Sequence, residues 1–149
     1  MSGDEKLTTV LSDLVKINND RIEGYKQAKM ATEDVDLKAL FQHMVNDSLK
    51  HIAALNQQLE LLGMSAATTM GGRIYDAWTA IKTRFTGTDR YSLFSSCEYG
   101  DDAVQRAYAD ALSIDVPMPL ALRDLIAKQR ESVKEAHETI KSYRDVVGQ

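Results

Sequence analysis

Apolar side chains recur every third or fourth residue along four long stretches of the chain, which is the spacing of one face of an α-helix. Leu7, Leu11 and Leu14 begin the first stretch and predict a helix from about Asp4 to Lys29. The second carries Leu37, Leu40, Phe41, Met44, Ile52, Leu55, Leu59 and Leu62, with Asp34 placed to cap its start and Gly63 its end. A small-residue stretch, MSAATTMGG, then leads to a shorter amphipathic segment, Arg73 to Phe85, with Ile74, Trp78, Ile81 and Phe85 on one side. The turn TGTD closes it, and Asp89 can cap the next helix. From about Arg90 to Ser113 the inward positions are Leu93, Cys97, Val104, Tyr108 and Ala111. The segment IDVPMP breaks that helix, and Pro119 suits the first turn of the last one. Leu122, Leu125, Ile126, Val133, Ile140 and Val147 form its stripe.

No stretch alternates with the period of a strand. The prediction is an all-α single domain: an up-down-up-down four-helix bundle with the short helix elaborating the central connection.

Projecting each helix at about 100° per residue shows polar side chains inside the apolar stripes. The first helix contributes Asn18 and Arg21, inside INNDRIEGY, the second Ser48 and His51 with Asp47 on the flank. The Arg90 helix contributes Asp101 with Glu98 at the edge, and the last helix contributes Gln129. In an up-down-up-down bundle the first and third long helices run parallel, which sets Asn18, Ser48, Asp101 and Gln129 at one level. Arg21 and His51 then sit about one turn to either side. A buried Asp101 requires a charge partner, and Arg21 is the nearest in this register. Such a layer can fix helix register or hold a metal or small ligand.

Charge and cysteine content narrow the functional classes. A net charge of −4 and a pI of about 5.3 leave no basic face for nucleic acid. No apolar run approaches the roughly 20 residues of a membrane span. The N-terminal MSGDEKLTTV has no signal-peptide pattern, and Cys97 is the only cysteine, so a cytoplasmic protein is expected. Cys97 lies on the inner stripe and reads as a small core residue. Gly71-Gly72 precedes no Gly-Lys-Ser/Thr and is no phosphate loop.

INNDRIEGY, the Trp78-x-x-x-Lys82 segment and CEYGDD, Cys97 to Asp102, together resemble a known family. They are similar to the uncharacterised bacterial ferritin-like family called domain of unknown function 2383, over about Leu7 to Arg144. At the position of CEYGDD the family more usually reads Glu-x-Gly-Glu-Asp, so Asp101 here shortens the carboxylate's reach. The resemblance implies a ferritin-like bundle of bacterial origin and brings no established reaction.

A di-iron bundle draws inward carboxylates from its helices and Glu-x-x-His from two of them. Here Lys134, Ser48 and Leu40 stand three residues before His137, His51 and His43, so the motif is absent. Glu23 projects away from the stripe. The nearest approximations are Asp47 with His51, and Glu98 with Asp101, as ligands for iron or manganese. Arg21 nearby opposes a cation. The expectation is therefore a bundle without a catalytic set or resident cofactor, acting by association as a dimer or with a protein partner. A divergent metal-dependent oxidoreductase or storage protein and a small-ligand carrier are the alternatives.

Overall fold

The computed structural model describes residues 3–63 and 90–147 of the chain. Those residues form four helices: α1 (Gly3–Met30), α2 (Val35–Leu61), α3 (Arg90–Leu112) and α4 (Leu120–Val147). The short helix expected at Arg73–Phe85, with Trp78, and the Asp89 cap lie outside the described residues.

The helix ends follow local chemistry. Gly63 takes φ +71°, the left-handed turn that lets the last carbonyls of α2 be met: its N–H reaches Glu60 at 2.9 Å, and that of Leu62 reaches Gln58 at 3.1 Å. Asp34 occupies the cap position of α2 in extended conformation, but its side chain does not bond the helix. Asp34 Oδ2 instead accepts from Arg90 Nε at 3.1 Å, and Arg90 also reaches Asp36 at 3.1 Å. Pro119 stands just before α4, where its carbonyl accepts the Arg123 N–H at 3.0 Å.

Cross-helix bonds fix the directions. Lys6 meets Asp115, Asn18 meets Tyr108 and Arg21 meets Asp101, so numbers rise along α1 as they fall along α3. Hence α1 and α3 are antiparallel, which corrects the up-down-up-down expectation. Arg90 on Asp34 and Asp36 places the starts of α2 and α3 at the same end. The order is up-down-down-up. The physical reason is the length of the central connection. At about 1.5 Å per residue α2 is roughly 40 Å long, and Gly63 and Arg90 lie at opposite ends of the bundle with residues 64–89 between them. The rule that neighbouring helices alternate holds only where the connection between them is short.

α1 packs against α2 and α3, and α3 packs against α4, whereas α2 and α4 barely meet. Leu11, Leu14, Leu55, Phe94, Ile126 and Ile140 are wholly buried between the four helices. Leu40, Ile52 and Leu125, expected inward, are only half-buried. One aromatic from each helix forms a run across the bundle: Tyr25 to Phe41 at 5.8 Å, Phe41 to Phe94 at 6.4 Å, and Phe94 to Tyr143 at 5.5 Å between ring centroids. Among the described residues no helix is long and apolar enough to cross a membrane.

Candidate functional site

The polar residues of the four stripes meet inside the bundle, in a register different from the one expected. Asn18, Arg21, Ser48, Asp101 and Gln129 are all buried. Antiparallel α1 and α3 bring Asn18 level with Tyr108, and place Asp101 against Arg21 and Tyr25, nearly two turns further along. Gln129 likewise faces Tyr108 and not Asp101. The single layer of four residues is thus two linked levels, with Tyr108 in the place expected for Asp101.

At the first level Arg21 Nε donates to Asp101 Oδ1 at 3.0 Å. The Tyr25 hydroxyl donates to Asp101 Oδ2 at 2.5 Å. Arg21 Nη1 donates to Ser48 Oγ at 2.9 Å and to the Met44 carbonyl at 3.3 Å. The guanidinium carbon stands 5.2 Å from the centre of the Tyr25 ring, a cation–π arrangement.

Ser48 connects the levels. Its hydroxyl accepts from Arg21 and donates to Asn18 Oδ1 at 3.0 Å. Asn18 Nδ2 donates to the Leu14 carbonyl at 2.8 Å and to the Tyr108 oxygen at 2.9 Å. The Tyr108 hydroxyl donates onward to Gln129 Oε1 at 2.6 Å, and Gln129 Nε2 donates to the His51 carbonyl at 3.2 Å. His51 Nδ1 faces Asn18 Oδ1 at 3.3 Å. Because an amide oxygen only accepts, Nδ1 carries the proton in this contact. The bonds run unbroken from Tyr25 through Asp101, Arg21, Ser48, Asn18, Tyr108 and Gln129, joining all four helices.

Burial sets the charge states. Burial alone lowers the pKa of the Arg21 guanidinium, but the facing Asp101 carboxylate, together with Tyr25 and Asp47, more than offsets this and leaves it raised. Tyr25 is pushed well up by burial and then by Asp101, so it stays a neutral donor. Burial raises Tyr108 as well. His51 is lowered to about 4 by burial and by Arg21, against a smaller opposing pull from Asp47. The Cys97 thiol is pushed well up by burial and by Asp101, so it lacks the thiolate a nucleophile needs.

The residues nominated for a metal, Asp47, His51, Glu98 and Asp101, do not form one set. Asp47 Oδ2 turns to His43 Nε2 at 3.4 Å, while His51 Nδ1 faces Asn18. Glu98 is bonded by Arg144, and both Asp101 oxygens are taken by Arg21 and Tyr25. Among the described residues no three His, Cys, Asp or Glu side chains converge to hold a metal ion. Among the described residues these four do not make up the donor set of a di-iron centre. The physical reason is that helix spacing puts a residue on a face without saying which neighbour reaches it first, and here Arg21 takes Asp101 and Arg144 takes Glu98.

Helical spacing places the rings of Tyr25 and Tyr108 inward and says nothing of their hydroxyls. A buried tyrosine hydroxyl must find a partner, and that requirement is the signal that could have placed them in the network. The same spacing turns His51 inward and leaves His137 off the stripe. The His137 side chain on α4 is only 12% exposed, with Nδ1 3.5 Å from Asp102 Oδ1. Its position on the flank of the stripe, turned toward α3, gives no apolar signal.

A family model described as a domain of unknown function (DUF2383) matches residues 6–113, more than two-thirds of the chain. The match covers α1 from Lys6 onward and all of α2 and α3, with Asn18, Arg21, Ser48, Asp101 and Tyr108. It ends before α4 and Gln129, short of the Arg144 reached by the resemblance. A comparison with curated proteins finds no match.

Proposed function

The chain belongs to the family of domain of unknown function 2383, and we propose that it is a non-catalytic helical bundle acting by association, with its buried polar network fixing helix register. The observation that carries this reading is how the interior donors and acceptors are spent. Arg21 and Asp101 neutralise one another, Tyr25 and Ser48 fill the adjoining positions, and Asn18, Tyr108 and Gln129 bond each other. A catalytic group keeps a reactive atom facing a substrate or a cofactor, and the atoms of this network face one another. A buried network that binds all helices penalises any slip of one helix against the rest, because a slip leaves charged and polar groups unpaired.

A ferritin-like layout is part of the proposal. Two parallel middle helices joined by one long connection are the arrangement such bundles use, and up-down-down-up order supports it. A cytoplasmic setting agrees with the single buried thiol.

Sedimentation velocity over a wide concentration range tests the association. The expected result is a concentration-dependent dimer or larger species, and a monomer at every concentration contradicts it. Elemental analysis with iron and manganese titration tests the competing reading. Stoichiometric metal in freshly purified protein, or a melting temperature raised by added metal, would overturn the non-catalytic proposal.

A further inference from the structure

We infer that His137 is a proton-operated latch between α3 and α4, separate from the central network. His137 sits on α4 between two carboxylates of α3, with Nε2 3.9 Å from Glu98 Oε1 and Nδ1 3.5 Å from Asp102 Oδ1. Glu98 is only 16% exposed and Asp102 50%. Among the described residues, His137 Nδ1 is the one buried side-chain nitrogen or oxygen atom with no hydrogen-bond partner.

A neutral imidazole carries one N–H and one lone pair. Ionised carboxylates only accept. In either tautomer one ring nitrogen therefore turns a lone pair toward a carboxylate, and one contact cannot close. The doubly protonated ring has two N–H groups, one for each acid, and both contacts become charge-assisted. Uptake of one proton thus ties α4 to two successive turns of α3.

The surrounding charges define the balance. From α3, Glu98 and Asp102 face the ring, with Arg106 one turn beyond Asp102. From α4, Arg144 already bonds Glu98 and draws part of its charge away from the ring, and Lys134 and Lys141 stand one turn to either side. α2 reaches α4 at Gln129, about two turns from His137. Among the described residues no cation is bonded to Asp102 in competition with the ring, so it is the stronger half of the latch.

Thermal melts of the chain and of His137→Gln at about pH 5.5 and about pH 8 test this, a window that spans ordinary histidine titration. The melting-temperature advantage of the native chain over His137→Gln should grow by about 3 °C on acidification. His51 acts in both chains and cancels. Asp102→Asn should remove most of the gain. Ring ¹⁵N resonances of His137 in the native chain give a second readout, independent of whether the variant folds. Both nitrogens should carry protons at about pH 5.5 and exchange slowly with water. An advantage that does not change with pH, or a ring that keeps a single N–H at about pH 5.5, would overturn the latch.

Discussion

Arg21 Nε lies 3.0 Å from Asp101 Oδ1, with the two side chains 1% and 0% exposed. Two opposite charges so far from water cost several kcal/mol each to desolvate, and only good geometry repays it. Here the cation has two further partners on α2, Ser48 and Met44, and the anion one on α1, Tyr25. The pair ties α1 to α3 directly and to α2 through Ser48. Removing Asp101 alone leaves a buried guanidinium without its counter-charge. Asp101→Ala should therefore cost about 3–5 kcal/mol in urea unfolding. A loss below about 1 kcal/mol would mean that the pair is solvated in solution.

Tyr108 is the hinge of the second level, accepting from Asn18 and donating to Gln129. Tyr108→Phe keeps the ring and deletes only the hydroxyl. It should cost about 1–3 kcal/mol, since an amide N–H and an amide oxygen are both left without that partner. Replacing Gln129 by Leu in the same chain should cost less than the two losses added together. Simple additivity would show that the hydroxyl and the amide do not share a bond.

His51 makes stability depend on pH in a fixed direction. In the folded chain it titrates at about 4, while an unfolded histidine titrates near about 6.5. Above about 6.5 both forms are neutral and the residue contributes no pH dependence. Below that, the unfolded chain takes up a proton that the folded chain refuses, so stability falls as pH falls. The loss grows by about 1.4 kcal/mol per pH unit and reaches roughly 3 kcal/mol near pH 4. In His51→Gln this part of the slope should vanish from chemical unfolding measured between about pH 4 and about pH 6.5. An unchanged slope would place the source elsewhere.

Gly63 follows α2 with φ +71°, and a Cβ built there meets nothing within 4 Å among the described residues. The cost of Gly63→Ala is then backbone strain alone, about 1 kcal/mol in equilibrium unfolding. Gly63→Asn should cost less, because asparagine tolerates the left-handed region better. Equal losses for the two would point to a packing contact.

The helices were legible because their stripes are long and regular. Asp4 and Lys29 fall within one residue of the observed ends of α1, and Ser113 within one of the end of α3. The membership of Asn18, Arg21, Ser48, Asp101 and Gln129 in the interior was legible for the same reason. Direction and level were not. A 3.6-residue period says which side of α3 is inward but not whether the helix runs up or down, and reversing it exchanged Asp101 for Tyr108 opposite Asn18. Hydroxyl and carboxylate partners depend on that level. The period therefore shows Tyr25 and Tyr108 only by their rings, and it offers Glu98 as a ligand while Arg144 claims it. The cap at Asp34 was placed correctly along the chain, yet its carboxylate is drawn off by Arg90, a partner 56 residues away.

A double-mutant cycle on Arg21 and Asp101, read by urea unfolding, tests the register-fixing network most directly. Arg21→Met and Asp101→Ala should each destabilise strongly, whereas the combined variant should recover about 2 kcal/mol or more relative to the sum of the two. Adding Tyr25→Phe, which removes the hydroxyl left without its carboxylate, should recover more. Losses that simply add would contradict a coupled network and leave the interior polar residues as independent contacts.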